Sequence, residues 1–438
     1  MKPFYLGIIF LLSILVKLFL AWQLPVFGDE AYYWFWGQHL QLSYFDHPGM
    51  VGWLTSIGSQ LDFLPYSLTV RWPFVLLSTG SLYLFIIMVQ NSITTNKDFR
   101  FGLIILYLLN PLLGFGGILA TPDVPLIFFW SLSFFVMNRI VLHQKKLDYA
   151  LLGAALGLGL CSKYHIVLFP ITMLLSLFFS KKLSAIQPKK LMLTIFFGLI
   201  FSMPVLIWNY QNDWASFAFQ LNHGFNGRSY TPTWAITYAL GQIFLFNPFL
   251  FYQLFQGLKK SFYKNAATLQ WIFFLMSSFR AGVEANWPVT AHFQGLVGFP
   301  FMNKKIFRLA LNYWFLIWAI FIGFYFSTPG QKKISTLPNS QSAEKIWAIV
   351  KPYSPLYGPT YQISSLLQLV SGQKILKLYN LSRSDFYDSA LFQQPQEKVF
   401  YALKYDISSW PLWLAHAKIQ PIQNFPEFTL GLYRIDNE

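Results

Sequence analysis

Charge is what this chain has least of. Only 11% of its 438 residues are Asp, Glu, Lys or Arg, against about 25% in a soluble globular protein. So few charges do not cover a water-facing surface, and a soluble fold is excluded. Cysteine is nearly absent too: the single Cys161 excludes an internal disulfide and carries no information on redox compartment. Acidic residues number 17 against 32 Lys and Arg. That imbalance suggests nucleic acid, but the basic residues stand in small clusters between apolar runs, the arrangement of cytoplasmic loops on a membrane protein. No nucleic-acid partner is expected, and no glycine motif for a nucleotide is present.

Apolar and aromatic residues are abundant. Hydrophobic residues make up 55% of the chain and aromatic residues 20%. A membrane helix needs roughly 20 apolar residues, and about eleven runs approach that length: 4–24, 70–90, 101–119, 124–142, 149–162, 164–179, 191–208, 236–256, 266–279, 288–302 and 309–326. The first follows Lys2 and ends at Gln23-Leu24-Pro25, a poor cleavage site, so it reads as a retained helix rather than a signal peptide. The expected fold class is an all-α polytopic membrane protein. Its domains are a transmembrane domain over 1–326, with a large first outer loop at 25–69, and a small C-terminal α/β extracytoplasmic domain over 330–438. In that domain strands are expected at 374–379, 398–403 and 428–435, and a helix at 361–370.

The charges supply an internal check. With the N-terminus inside, the inner loops hold Lys97, Arg100, Arg139, Lys145, Lys146, Lys181, Lys182, Lys189, Lys190, Lys259, Lys260, Lys264, Lys304, Lys305 and Arg308. The outer side holds Arg71, Lys163, Arg228 and Arg280. This is the positive-inside rule, and a misplaced span would have scrambled it.

The outer loops carry the candidate chemistry. Asp29-Glu30 precedes the aromatic stretch Tyr32 to Trp36, and Asp46-His47-Pro48 follows Tyr44-Phe45. Asp123 opens a span in Thr121-Pro122-Asp123, and Lys163 interrupts apolar sequence in Ser162-Lys163-Tyr164-His165. His223 and Arg228 share one outer loop, and Arg280, Glu284 and Asn286 another. Each has a plain structural alternative. Asp29, Glu30, Asp123 and Glu284 suit helix caps, Asp46-His47 suits a turn before a helix that begins at Pro48, and Lys163 could snorkel. Together they bring carboxylates and cations to one membrane face. Carboxylates can deprotonate a hydroxyl and cations can neutralise a phosphate leaving group.

The motifs GDEAYYW (28–34), YFDHPGMVGWL (44–54), VRWP (70–73), TPDVPL (121–126), LGLGLCSKYHIVLFP (156–170) and EANWP (284–288) resemble the GT-C membrane glycosyltransferases, in the bacterial branch related to protein O-mannosyltransferases and lipid A aminoarabinose transferases. The resemblance covers about the first 300 residues. It implies an inverting transfer of a sugar from a polyprenyl-phosphate carrier to a glycolipid, glycan or protein acceptor. It places the chain among the lipids of the bacterial inner membrane, with site and C-terminal domain periplasmic. Asp29 falls on the family's essential carboxylate, with Glu30 beside it and Asp123 at the second acidic position. The donor phosphate falls to His47, Lys163, Arg228 and Arg280; His47 stands where that subgroup has Lys. A divalent metal at Asp46 and His223 is allowed by the resemblance, not required. Tyr32, Tyr33, Glu284 and Asn286 are expected to line the site. A transporter or flippase of lipid-linked sugar is the alternative reading, and a non-enzymatic scaffold the third. Against transport stand the ionisable residues, which sit at span ends, and the lack of a repeat between halves.

Overall fold

In the computed structural model, the described residues are 3–91, 97–225, 231–255, 262–299, 303–389, 392, 395 and 397–437. They divide into two compact units that interleave along the chain. The first comprises Met1–Ala21, Gln41–Leu54 and Arg71–Ile320, the second Trp22–Leu40, Thr55–Val70 and Phe321–Glu438.

Within the described residues each of the eleven apolar runs falls mainly on helix, while residue 256 and residues 300–302 of the expected runs lie outside them. Tyr66–Gln90, Asp123–His143, Pro188–Gln211 and Lys304–Phe326 are long and apolar enough to cross a bilayer; counting two bent helix pairs as single spans raises the number to six. The chain is thus a mostly helical, multi-pass membrane protein.

The bends have a sequence cause. Asn110-Pro111 and Asn247-Pro248 interrupt helices, bending them by 68° and 96°. Proline has no N–H to give the helix ladder, so backbone groups are stranded where no water can satisfy them. Side chains of the first unit take their place. Asn110 Oδ1 accepts the Leu112 and Leu113 N–H groups at 3.1 Å. Its Nδ2 donates to the Leu245 carbonyl, freed at the second break, at 3.1 Å. Tyr313 Oη donates to the Phe244 carbonyl at 2.9 Å and Trp318 Nε1 to that of Leu109 at 2.8 Å. Asn110 Nδ2 also lies 3.1 Å from His292 Nδ1. Because the amide donates there, His292 carries its proton on Nε2, which then donates to Gln242 Oε1 at 3.0 Å. Asn110→Ala would orphan several of these groups at once. It should cost about 3 kcal/mol or more, while Asn110→Ser, whose hydroxyl can still accept a cap N–H, should cost less. Thermal unfolding of the detergent-solubilised protein checks this order.

Helix Lys146–Ser162 lies against Pro188–Gln211 at near-backbone distance. A Cβ on Gly153 would stand 2.3 Å from the Thr194 carbonyl oxygen, and one on Gly157 2.6 Å from that of Gly198. Small residues four apart permit this approach in membrane helices. The packing fixes the helix that ends at Lys163.

The second unit holds a five-stranded sheet: β1 (Leu356–Gly358), β2 (Leu376–Lys377), β3 (Val399–Tyr405), β4 (Lys418–Phe425) and β5 (Leu430–Asp436), in the order β2-β1-β3-β5-β4. β1 runs parallel to β2 and β3, while β5 is antiparallel to β3 and β4. The expected strands correspond to β2, β3 and β5, and the expected helix to Tyr361–Ser371. β1 is short and buried throughout, so it has no alternation to read. β4 carries Pro421 next to a register shift, as an edge strand tolerates. Val26 and Ala31 join Ile346, Leu366, Leu403 and Leu432 in the core of this unit. Beside the sheet, buried Lys377 Nζ binds Asp385 Oδ2 at 2.7 Å and Asp388 Oδ2 at 2.5 Å. Burial pushes the Asp385 carboxyl up to about 6, against the opposing pull of Lys377.

Candidate active site

In the first unit three of the expected residues meet. Asp123 is the first residue of helix Asp123–His143, one position past the cap residue Pro122. Its carboxylate accepts from Lys163 Nζ at 2.7 Å through Oδ1 and from Asn286 Nδ2 at 2.6 Å through Oδ2. Lys163 follows the last residue of helix Lys146–Ser162, with extended backbone (φ −159°). It is 5% exposed and Asp123 9%, so the ammonium does not snorkel to water; it is buried against a carboxylate. Two opposite charges at this distance cancel each other's cost at the membrane edge. Removal of either partner leaves a buried unpaired charge, at about 3–5 kcal/mol.

Residues around the triad are held by further bonds. Tyr164 Oη lies 2.8 Å from Ser216 Oγ and accepts from Asn209 Nδ2 at 3.3 Å. The His165 ring stacks on Phe274 at 5.5 Å and meets Trp287 edge-on at 5.4 Å. His165 lies within electrostatic reach of both Lys163 and His47. The segment carrying Asp46 and His47 folds as a tight turn, with the Tyr44 N–H donating to the His47 carbonyl at 3.1 Å. Trp53 and Trp208 donate to Gln41 at 2.8 and 2.9 Å. Asp46 is buried and His47 half-buried. The Asp46 carbonyl accepts from Gln220 Nε2 at 2.5 Å, so helix Ala215–Phe225, which also bears His223, is tied to the turn.

Arg228 and the His223 side chain lie outside the described residues. No group of three or more His, Cys, Asp or Glu suited to a metal occurs among the described residues. Of the expected metal pair, Asp46 and His223, only the Asp46 side chain lies within the described residues. Arg280 and Glu284 are exposed, just beyond helix Phe262–Ser277.

The remaining expected residues belong to the second unit, on helix Gly28–Gln38. Glu30 is 1% exposed and turns back to accept the Phe27 N–H at 3.0 Å, closing the start of its own helix. Asp29 is exposed. Its Oδ1 accepts from Tyr361 Oη at 3.3 Å and Gln362 Nε2 at 3.1 Å. A Cβ on Gly28 would stand 2.7 Å from the Gln362 Cβ, so glycine at 28 lets the two helices approach. Tyr32 is buried against Tyr361 (4.4 Å) and Trp36 (5.0 Å), and its hydroxyl accepts the Phe386 N–H at 2.8 Å. The Tyr33 carbonyl accepts from Thr55 Oγ1 at 2.8 Å. Sequence reasoning missed Tyr361 and Gln362. The only local signal was their place at the start of the helix expected at 361–370.

Residues 46–208 match the family model described as dolichyl-phosphate-mannose-protein mannosyltransferase. The chain superposes on the crystal structure of ArnT from Cupriavidus metallidurans bound to undecaprenyl phosphate. The TM-score is 0.71 over 99% of this chain and 98% of that one, at 12% identity; the apo state of ArnT gives 0.69. At that identity the likeness is one of fold. The lipid A galacturonosyltransferase RgtD of Rhizobium johnstonii (strain DSM 114642 / LMG 32736 / 3841) is 21% identical over 294 residues, 62% of this chain and 59% of the relative. The chain thus spans 59% of the length of that curated relative. The chain thus has the fold of ArnT, and residues 46–208 carry the pattern of the protein mannosyltransferase family model.

Proposed function

We propose that the chain transfers a sugar from a polyprenyl-phosphate carrier to an acceptor of the bacterial cell envelope, lipid A or its core, another glycan, or protein. The observation that carries this reading is the buried Asp123–Lys163 pair with Asn286. A cation held out of water at the end of an apolar helix suits a phosphate whose lipid tail stays in the bilayer. An ammonium has three N–H donors and the Asp123 bond uses one. His47 and Arg280 are assigned auxiliary contacts to the same phosphate. All eleven apolar runs are taken to cross the inner membrane, with residues 25–69 and the C-terminal segment periplasmic.

In the proposed reaction the acceptor oxygen attacks the anomeric carbon. Its proton passes to Asp29, the bond to the phosphate oxygen breaks, and polyprenyl phosphate leaves with inversion at carbon. Lys163 offsets the charge that develops on the leaving oxygen. Glu30, committed to its helix cap, supports Asp29 by fixing the start of the helix. Broken helices are a trait shared with transporters, but here the freed backbone groups are taken by Asn110, Tyr313 and Trp318.

Native mass spectrometry of the detergent-solubilised protein tests the donor half. Undecaprenyl phosphate should be retained at least about tenfold more tightly than undecaprenol, the ratio expected when one charge-assisted hydrogen bond is lost. Equal retention of the two would remove phosphate recognition from the account.

A further inference from the structure

Gln242 is buried in helix Pro232–Phe246 and uses both ends of its side-chain amide. Oε1 accepts from Trp271 Nε1 at 3.3 Å and from His292 Nε2 at 3.0 Å. Nε2 donates to the Ala285 carbonyl at 2.9 Å. The partners fix the orientation of the amide. An indole N–H only donates and a carbonyl only accepts, so oxygen faces Trp271 and nitrogen faces Ala285. On the other side of His292, Asn110 Nδ2 donates to Nδ1 at 3.1 Å. The bonds therefore run in one sense, from the Asn-Pro break through His292 and Gln242 to the Ala285 carbonyl. Bonds chained in this way polarise and strengthen one another.

The last acceptor in the chain adjoins the site. The Ala285 carbonyl and the Asn286 N–H belong to one planar peptide unit, so the bond from Gln242 fixes the plane from which Asn286 departs. Both residues stand in a turn between helices Phe262–Ser277 and Val289–Val297. The Trp287 N–H donates to the Glu284 carbonyl at 3.2 Å and the Val289 N–H to the Asn286 carbonyl at 3.0 Å. Those bonds close the turn on itself, whereas Gln242 ties it to another helix. Asn286 Nδ2 then donates to Asp123 Oδ2, and Asp123 Oδ1 holds the Lys163 ammonium. A displaced Asn286 would free the carboxylate to turn, and the ammonium with it.

We propose that Gln242 is a positioning residue for the transfer: by holding the Ala285 carbonyl it sets Asn286 on Asp123, and so aims Lys163 at the donor phosphate. The proposal deepens the glycosyltransferase reading and rests on it. In this arrangement Gln242 touches neither substrate, and its effect on transfer passes through Asn286.

The test is a double-mutant cycle on the full-length protein in nanodiscs. Its readouts are sugar transfer from a polyprenyl-phosphate donor and retention of undecaprenyl phosphate, with thermal unfolding beside them. Gln242→Met keeps the length of the side chain and removes the amide. It should lower transfer and retention by about tenfold, the scale of one hydrogen bond. Asn286→Ala should lower both by at least as much, and adding Gln242→Met to Asn286→Ala should lower neither further. Losses of thermal stability should instead add, because the bonds to Trp271 and His292 are lost whether or not Asn286 is present. Normal transfer by Gln242→Met, or transfer losses that multiply in the double variant, overturns the proposal. If Gln242→Met does not fold, Gln242→Glu carries the test. It has the shape of glutamine, its protonated acid can donate to Ala285, and His292 is the titratable group in contact with it. Its transfer relative to the wild type should fall as the pH rises and the acid ionises, and this slope should vanish in the Asn286→Ala background. A ratio independent of pH, or a slope that persists without Asn286, overturns the proposal. A wild type that transfers no sugar from a polyprenyl-phosphate donor would instead defeat the glycosyltransferase reading, and the cycle in undecaprenyl phosphate retention would still decide whether Gln242 acts through Asn286. A wild type that retains no undecaprenyl phosphate either would overturn both.

Discussion

Asp29→Asn should lower sugar transfer by about 10²–10⁴-fold, the usual contribution of a positioned general base, with undecaprenyl phosphate binding unchanged. Both hydrogen bonds that hold the carboxylate fall on Oδ1, from Tyr361 and from Gln362. This fixes the carboxylate in one orientation, which suits a base whose other oxygen receives the proton. Asparagine has the same shape, and its amide oxygen can accept both bonds, so the helix and its contacts should persist. What it lacks is the capacity to take a proton at neutral pH. A turnover assay with a polyprenyl-phosphate sugar and envelope extract as acceptor reads the effect. Normal turnover would remove Asp29 from the reaction. Glu30→Gln should act differently, through its buried cap bond to Phe27, on stability before rate.

The second large effect concerns Lys163. Lys163→Gln should cut transfer by about 10²–10³-fold, the range seen when one donor to a developing oxyanion is removed. It should also destabilise the protein by about 3–5 kcal/mol, because the Asp123 carboxylate is left buried without its cation. Asp123→Asn should cost similar stability by stranding the ammonium. The double variant separates the two roles. With both charges gone and neutral amides in their place, most of the stability should return, but transfer should not. Thermal unfolding and transfer assays on the three variants supply the comparison. If the double variant recovered transfer along with stability, Lys163 would be a structural partner of Asp123 and nothing more.

Much of the helical architecture was legible because it is compositional. Apolar runs separated by lysine clusters announce helices, and within the described residues each of the eleven runs lies mainly on helix. The short runs were less legible, since the stretches at 101–119 and 236–256 contain Asn-Pro breaks whose repair depends on residues far away. Asn110 reaches Leu245 and His292, and no local pattern encodes such contacts. Lys17 escaped notice inside the first apolar run. It is buried and bonds Ser78, so one polar partner absorbs what hydropathy alone would forbid. In the sheet, β3 and β5 are seven residues long and rich in aliphatic and aromatic residues, so they could be seen, whereas β1 has three residues, all buried.

At the site, the residue types were readable and their partnerships were not. Asp123, Lys163 and Asn286 each stood out at a helix end, each with an ordinary alternative. Their union spans 40 positions in one bond and 163 in the other. The structure also tells two neighbours apart: Asp29, on which the sequence placed the essential carboxylate, is exposed, and Glu30 is buried and closes the start of its own helix. Tyr361 and Gln362 stood out only as the start of an expected helix, because their meaning comes from Asp29, more than 300 residues earlier.

The central claim is that this chain glycosylates an envelope component. Mass spectrometry of envelope glycolipids from the host tests it most directly, in a deletion strain and in the same strain restored with the intact chain or with Asp29→Asn. The account predicts that one sugar mass disappears from a glycolipid on deletion, returns with the intact chain and stays absent with Asp29→Asn. A full return of that sugar with Asp29→Asn would contradict the catalytic assignment and favour transport of a lipid-linked sugar; an envelope unchanged by deletion, in glycolipids and in protein glycans alike, would contradict the claim itself.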